Sequence, residues 1–232
     1  MTSMSPSISV WPQTPPLPPV NEPVLIRAAT SPARPVARQE LRKVLRQVLV
    51  GWSGIPATHL PLAESSRGPC WDGLLDGYGL DISLSYAEDE GWIAAVRGAC
   101  IGVDAMKLKS VPDAETVARN YFHPGFAAKL QGAVEPTRIF AEAWTELEAR
   151  IKCRRHGLTE WSPASDQALD QSTRCSKLAW EGTQLAVATS SPYMLRTVPD
   201  DGANAPKENF RAPGSRPCGG QWLSVTSQSP AP

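Results

Sequence analysis

Residues 80–106, LDISLSYAEDEGWIAAVRGACIGVDAM, decide how the chain folds. Two apolar runs, residues 81–86 and 92–100, flank the acidic turn Ala87-Glu88-Asp89-Glu90-Gly91. Ile82 and Leu84 alternate with Ser83 and Ser85, which is the period of a half-buried strand with its serines on the outer face. Trp92-Ile93-Ala94-Ala95-Val96 reads as the partner strand of a hairpin. A third short run, Cys100-Ile101-Gly102-Val103, ends at Asp104. A carboxylate set where a buried strand stops is aimed rigidly from the scaffold, which suits a metal ligand or a catalytic group. An aspartate that caps the following turn is the alternative, and spacing alone leaves both readings open.

Upstream, residues 35–50 predict a helix, because Val36, Leu41, Val44, Leu45, Val48 and Leu49 recur at helical spacing. Arg34, Arg38, Arg42, Lys43 and Arg46 fill the remainder of its surface. The glycines and proline of Gly51-Trp52-Ser53-Gly54-Ile55-Pro56 end it. Downstream, residues 114–121 and 125–130 predict two short helices separated by His123-Pro124. A longer helix is expected from near Thr137, just after Pro136, to about Arg155. Its apolar stripe is Phe140, Ala143, Trp144, Leu147 and Ile151. Glu148 lies one turn beyond Trp144, and Lys152 one turn beyond Glu148. As an exposed pair they would contribute only about 0.3–0.5 kcal/mol. Residues 176–180 and 184–189 predict a closing hairpin.

The 232 residues carry 23 Lys+Arg against 23 Asp+Glu, so the formal charge is zero and no general nucleic-acid footprint is present. Cys70, Cys100, Cys153, Cys175 and Cys218 are odd in number, widely spaced and form no CxxC pair. That pattern argues against a zinc site and a secreted disulfide framework, and favours reduced thiols in a cytoplasm. No apolar run approaches the roughly 20 residues that cross a bilayer. The start has no basic region followed by an apolar core, so a signal peptide is not expected. Residues 1–33, with PQTPPLPP, and residues 198–232 mix Pro, Ser, Gly and Asn without periodicity and are expected to be disordered tails. His59, His123 and His156 lack any neighbouring nucleophile or orienting acid in sequence and are read as structural or exposed.

The order DISLS, apolar hairpin, IGVD and then AWTELEARIK some forty residues later resembles the 4'-phosphopantetheinyl transferase superfamily, in its surfactin-type, monomeric branch. The resemblance covers roughly residues 38–192. It implies an α+β fold of two similar halves with a pseudo-twofold relation, divided here at 34–103 and 104–197. The second half would carry the metal and CoA site. No internal repeat is visible in the sequence itself. The implied activity moves the phosphopantetheine arm of coenzyme A onto a serine of an apo acyl or peptidyl carrier protein, in polyketide, nonribosomal-peptide or fatty-acid biosynthesis. CoA is then the substrate, Mg²⁺ the cofactor and 3',5'-ADP the product. The resemblance implies a cytoplasmic monomer without nucleic-acid or membrane partners.

Carried over residue by residue, the resemblance assigns Asp104 and Glu148 to the metal, and Glu148 and Lys152 to catalysis. Arg38 aligns with an arginine that contacts the CoA 3'-phosphate. Ser83 and Ser85 are candidate hydrogen-bond donors to CoA. Arg67, in Arg67-Gly68-Pro69, stands beside the place where the family carries a phosphate-binding lysine. Arg154 and Arg155 are placed near the nucleotide or the carrier protein. Three family groups are replaced: a histidine by Leu84, a second metal carboxylate by Met106, and the first lysine of the tryptophan motif by Leu147. The leading expectation is a divergent transferase. The rivals are a catalytically impaired homologue that binds CoA or a carrier protein without transfer, and an α+β interaction module that binds no CoA.

Overall fold

The computed structural model describes residues 6–60 and 79–190, together with the backbone of 62–65 and 68–71. In chain order the elements are β1 (Ser7–Val10), β2 (Val24–Ala29), α1 (Arg34–Ser53), β3 (Leu62–Ser65), β4 (Gly68–Trp71), β5 (Leu80–Ala87), β6 (Glu90–Arg97) and β7 (Ile101–Lys107). Then come α2 (Ala114–Tyr121), α3 (Gly125–Gln131), α4 (Pro136–Cys153), α5 (Pro163–Ser172), β8 (Thr173–Trp180) and β9 (Thr183–Ser190). One sheet has the order β1-β2-β6-β5 and another the order β7-β9-β8, while β3 and β4 pair only with each other.

Within this α+β fold one unit occurs twice. In β2–α1–β5–β6 the last strand lies between the other two, antiparallel to both. In β7–α4–β8–β9 the arrangement is the same. Each sheet is covered on one face by its helix. Leu41, Val44, Leu45, Val48 and Leu49 of α1 pack on Val24, Ile26, Ala28, Ile82, Ile93 and Ala95. Ala149 and Cys153 of α4 pack on Ala186 and Ala188. The other faces meet each other, with Leu25, Ala94 and Val96 against Ile101, Val103 and Val187, and Trp92 against Ala105 and Leu185. Burial of these apolar faces, at roughly 25 cal/mol per Å², is the main force holding the halves together. The second unit opens at Ile101, inside the segment 34–103 that the sequence reading gave to the first half.

Two expectations are corrected here. Residues 7–29 belong to the packed structure rather than to a tail. β2 sits inside the sheet between β1 and β6, and Leu25 and Ile26 are fully buried. The continuous run Val24-Leu25-Ile26 is the mark of a strand covered on both faces, and the prolines before it do not prevent that. The chain between β1 and β2 lies over α1, where Trp52 Nε1 donates to the Pro15 carbonyl at 2.8 Å. Second, Asp104 neither ends its strand nor caps a turn: β7 continues to Lys107. The expected C-terminal tail, 198–232, lies outside the described residues.

Candidate active site

β7 presents Gly102, Asp104 and Met106 on one face by the two-residue period of a strand. That face lies under α4, and the three residues meet it in turn. A Cβ at Gly102 would run into the Ala149 carbonyl, so only glycine lets the helix backbone settle so close to the strand. Met106 joins the aromatic cluster of Phe122, Phe126, Phe140 and Trp144. Between them Asp104 is 7% exposed, and Lys152 of α4 reaches it, with Nζ 2.6 Å from Oδ1 and 3.2 Å from the Val103 carbonyl. Glu148, one turn earlier on α4, is close enough to feel both charges. Burial is the chief cause that raises its pKa above the usual glutamate value. Lys152 opposes the shift, Asp104 adds to it, and Arg34 opposes it.

The far wall is α1. Arg34, Arg38 and Arg42 stand four residues apart on one stripe and surround Tyr86 of β5. The Arg34 guanidinium lies 5.7 Å from the Tyr86 ring centroid. Burial raises the Tyr86 phenol, and the three arginines oppose that shift. The first turn of α1 has no acidic residue and no side-chain cap. Its N-terminal N–H groups therefore add to a field that favours anions. Arg34, which the sequence reading left among the charged residues of the helix surface, thus lies over Tyr86 and is also close enough to oppose the shift at Glu148. The repeat Arg34, Arg38, Arg42 was the available signal.

Ser83 and Ser85 are corrected from the outer face of β5 to a buried seam, 8% and 4% exposed. The edge of β7 that does not pair with β9 runs parallel to β5 here. The Ser83 hydroxyl accepts from Val103 N–H at 3.0 Å, and that of Ser85 from Ala105 N–H at 3.0 Å. Asp81 Oδ2 accepts from Ile101 N–H at 2.7 Å, and its other oxygen is held by Arg155. Leu84 points the opposite way, into the α1 core. The two serines thus support the β7 backbone, on the face of β5 opposite Leu84 and Tyr86. Arg67 lies outside the described residues. His123 Nδ1 accepts from Gly125 N–H at 3.1 Å and its ring meets Trp161 edge-on, a local structural role.

A second charged centre went unseen. Glu90, 2% exposed, takes Arg27 at 2.6 Å, Lys107 at 3.0 Å and the Thr183 hydroxyl at 2.7 Å. Burial acts against its charge, yet Thr183, Lys107 and Arg27 together hold its carboxyl below the usual range. In sequence it was one acid among three in a turn.

The family model of the 4'-phosphopantetheinyl transferase superfamily matches residues 100–193, which run from the start of β7 through β9 and include Asp104, Glu148 and Lys152. A 4'-phosphopantetheinyl transferase from Nostoc sp., HetI, is 26% identical over 165 residues. From β7 through β9 the chain is similar to the 4'-phosphopantetheinyl transferase superfamily. Against that superfamily's pattern the chain is divergent, for Leu84, Met106 and Leu147 stand where family groups were expected. The match to HetI covers 69% of this chain and 65% of that relative, so the chain spans just under two thirds of the relative's length. Among the described residues, no three His, Cys, Asp or Glu side chains come together as a metal cage, and no helix is long and apolar enough to cross a membrane.

Proposed function

We propose that this chain transfers the 4'-phosphopantetheine arm of coenzyme A to a serine of an apo acyl or peptidyl carrier protein and releases 3',5'-ADP. The observation that carries the reading is the convergence of Asp104, Glu148 and Lys152 beside the arginine stripe of α1. Arg34, Arg38 and Arg42 offer planar, permanently charged forks of the kind that bind phosphate through paired hydrogen bonds. Arg38 takes the CoA 3'-phosphate in this reading, and its neighbours attract an acidic carrier protein.

The donor set suits Mg²⁺. Two carboxylates lie within each other's field, and Glu148 accepts no hydrogen bond among the described residues, so a hard cation would relieve their repulsion. Asp104 and Glu148 would hold it, with water and phosphate oxygens completing the shell. Met106 adds nothing, being turned into the aromatic cluster. The bound cation would supply neutralisation of the charge that builds on the pyrophosphate.

The chain's own residues do the remainder. The serine oxygen forms its bond to the β-phosphorus as the bond to the 3',5'-ADP oxygen breaks. Glu148 takes the serine proton, directly or through water. The Lys152 ammonium has three donors, two of them engaged by Asp104 and Val103, and turns the third to the leaving phosphate. The setting that goes with this reading is a cytoplasmic monomer.

Labelled CoA offered with a panel of apo carrier proteins tests it, with Mg²⁺ or with chelator, in wild type and Asp104→Ala. Metal-dependent labelling that is lost in the variant is the expected result. A second reading, an impaired homologue that binds without transfer, draws support from Leu84 packed toward α1 and Met106 turned into the aromatic cluster, where family groups were expected. CoA binding with no labelling of any carrier would select it. Absence of both would overturn the superfamily function for this chain.

A further inference from the structure

Asp104 has two carboxylate oxygens, and the structure uses them unequally. Oδ1 accepts twice, from Lys152 Nζ at 2.6 Å and from the Ser85 hydroxyl at 2.9 Å. Oδ2 accepts no hydrogen bond among the described residues. Ser85 is itself held, because its oxygen accepts from Ala105 N–H, and that fixes the direction in which its one proton points. The hydroxyl is 4% exposed in residue terms, so water does not compete for the carboxylate from that side. Ser83, two residues earlier, makes the same kind of seam bond to Val103 and does not touch Asp104.

We infer that Ser85 is a positioning residue: it pins Oδ1 of Asp104 and thereby leaves Oδ2 as the oxygen that binds a divalent cation. The inference rests on the proposed reading of Asp104 as a metal ligand. It assigns to Ser85 a task different from contact with CoA. A hydrogen bond to a ligating carboxylate orients it, and loss of such a partner costs about 10–100-fold in metal affinity.

The experiment is Mn²⁺ binding, followed by the spectroscopic signal of the free ion, in wild type, Ser85→Ala and Ser83→Ala. Mn²⁺ shares the preference of Mg²⁺ for oxygen ligands. Both variants lose one seam bond to β7, and only Ser85→Ala also takes a hydrogen bond from Asp104. The expected result is Mn²⁺ affinity at least tenfold weaker in Ser85→Ala and within about threefold of wild type in Ser83→Ala. The Mg²⁺ concentration giving half-maximal transfer rises in parallel, with the rate at saturating Mg²⁺ largely kept. Equal affinities in the two variants would overturn the inference while leaving the metal reading intact. A wild type that binds no Mn²⁺ would overturn both. Should Ser85→Ala not fold, the isosteric pair Ser85→Thr and Ser85→Val carries the same comparison. Weaker binding in the valine variant is then expected, and equal binding refutes.

Discussion

Ile26 and Asp104 hold the same address in two copies of one fold. The register opposes Ala29 to Glu90 in the first sheet and Lys107 to Thr183 in the second. Counting back along the leading strands, Val24, Ile26 and Ala28 correspond to Gly102, Asp104 and Met106. In the first half these positions are apolar and α1 packs on them with leucines and valines. In the second half the glycine lets α4 descend, and the space at the middle position holds an ion pair. The same topology therefore carries an apolar core in one half and a buried ion pair in the other. Internal symmetry also shows at the join, where the corresponding residues Glu90 and Thr183 touch each other.

The harshest way to break the comparison is to give the second half the residue of the first. Gly102→Val places a side chain against the Ala149 carbonyl, in backbone that cannot give way. Loss of more than about 4 kcal/mol, enough to prevent folding, is expected in a thermal unfolding experiment. Asp104→Ile copies Ile26 and should leave the fold standing, since Lys152, with its side chain 32% exposed, can turn to water. Transfer should fall by about 10²–10³ or more, the scale of a lost transition-state electrostatic contact. Residual activity close to wild type would show that the polar address is not the site.

Glu90→Ala cuts the tie between the halves and leaves Arg27 and Lys107 without their buried partner. A cost of about 3–5 kcal/mol is expected from chemical denaturation at neutral pH. Because the folded state holds the Glu90 pKa below its ordinary value, its contribution is full above that ordinary value and fades as pH falls through the lowered one. The difference between wild type and variant should shrink in acid accordingly. The smallest effect belongs to Glu148→Gln in metal-free protein. The folded state raises the Glu148 pKa, so ionising it costs stability as pH climbs past the ordinary value. The variant should melt slightly higher than wild type at neutral pH and at the same temperature once pH drops below that value.

Much of this was legible before any coordinates. The Ile82/Leu84 alternation and the Trp92 run became β5 and β6, and α1 and α4 lie within a few residues of their expected ends, although the buried face of α4 carries Ala141, Thr145 and Ala149 rather than Ala143, Trp144 and Leu147. Asp104, Glu148 and Lys152 were nominated by the family resemblance, and Lys152 pairs with Asp104 within the field of Glu148. The direction of the serines was not legible, because period two says which residues share a face and leaves open whether both faces are covered. Ser83 and Ser85 face a second strand edge, supplied by residues 101–105. Glu90 was hidden for a related reason. Its partners Arg27, Lys107 and Thr183 come from three distant segments. β2 was missed because the prolines preceding Val24-Leu25-Ile26 outweighed an apolar run too short to show a period.

The proline-rich beginning has a practical meaning for anyone who would trim it. β1 is four residues long, lies parallel to β2 and is bracketed by Pro6 and Pro12. Short strands and prolines are how natural sheets blunt an open margin. Take β1 away, and the unpaired N–H and C=O groups of Val24-Leu25-Ile26, an apolar and charge-free run, become a template for another molecule. Shortened chains would then fail first as solutions: they would self-associate and precipitate.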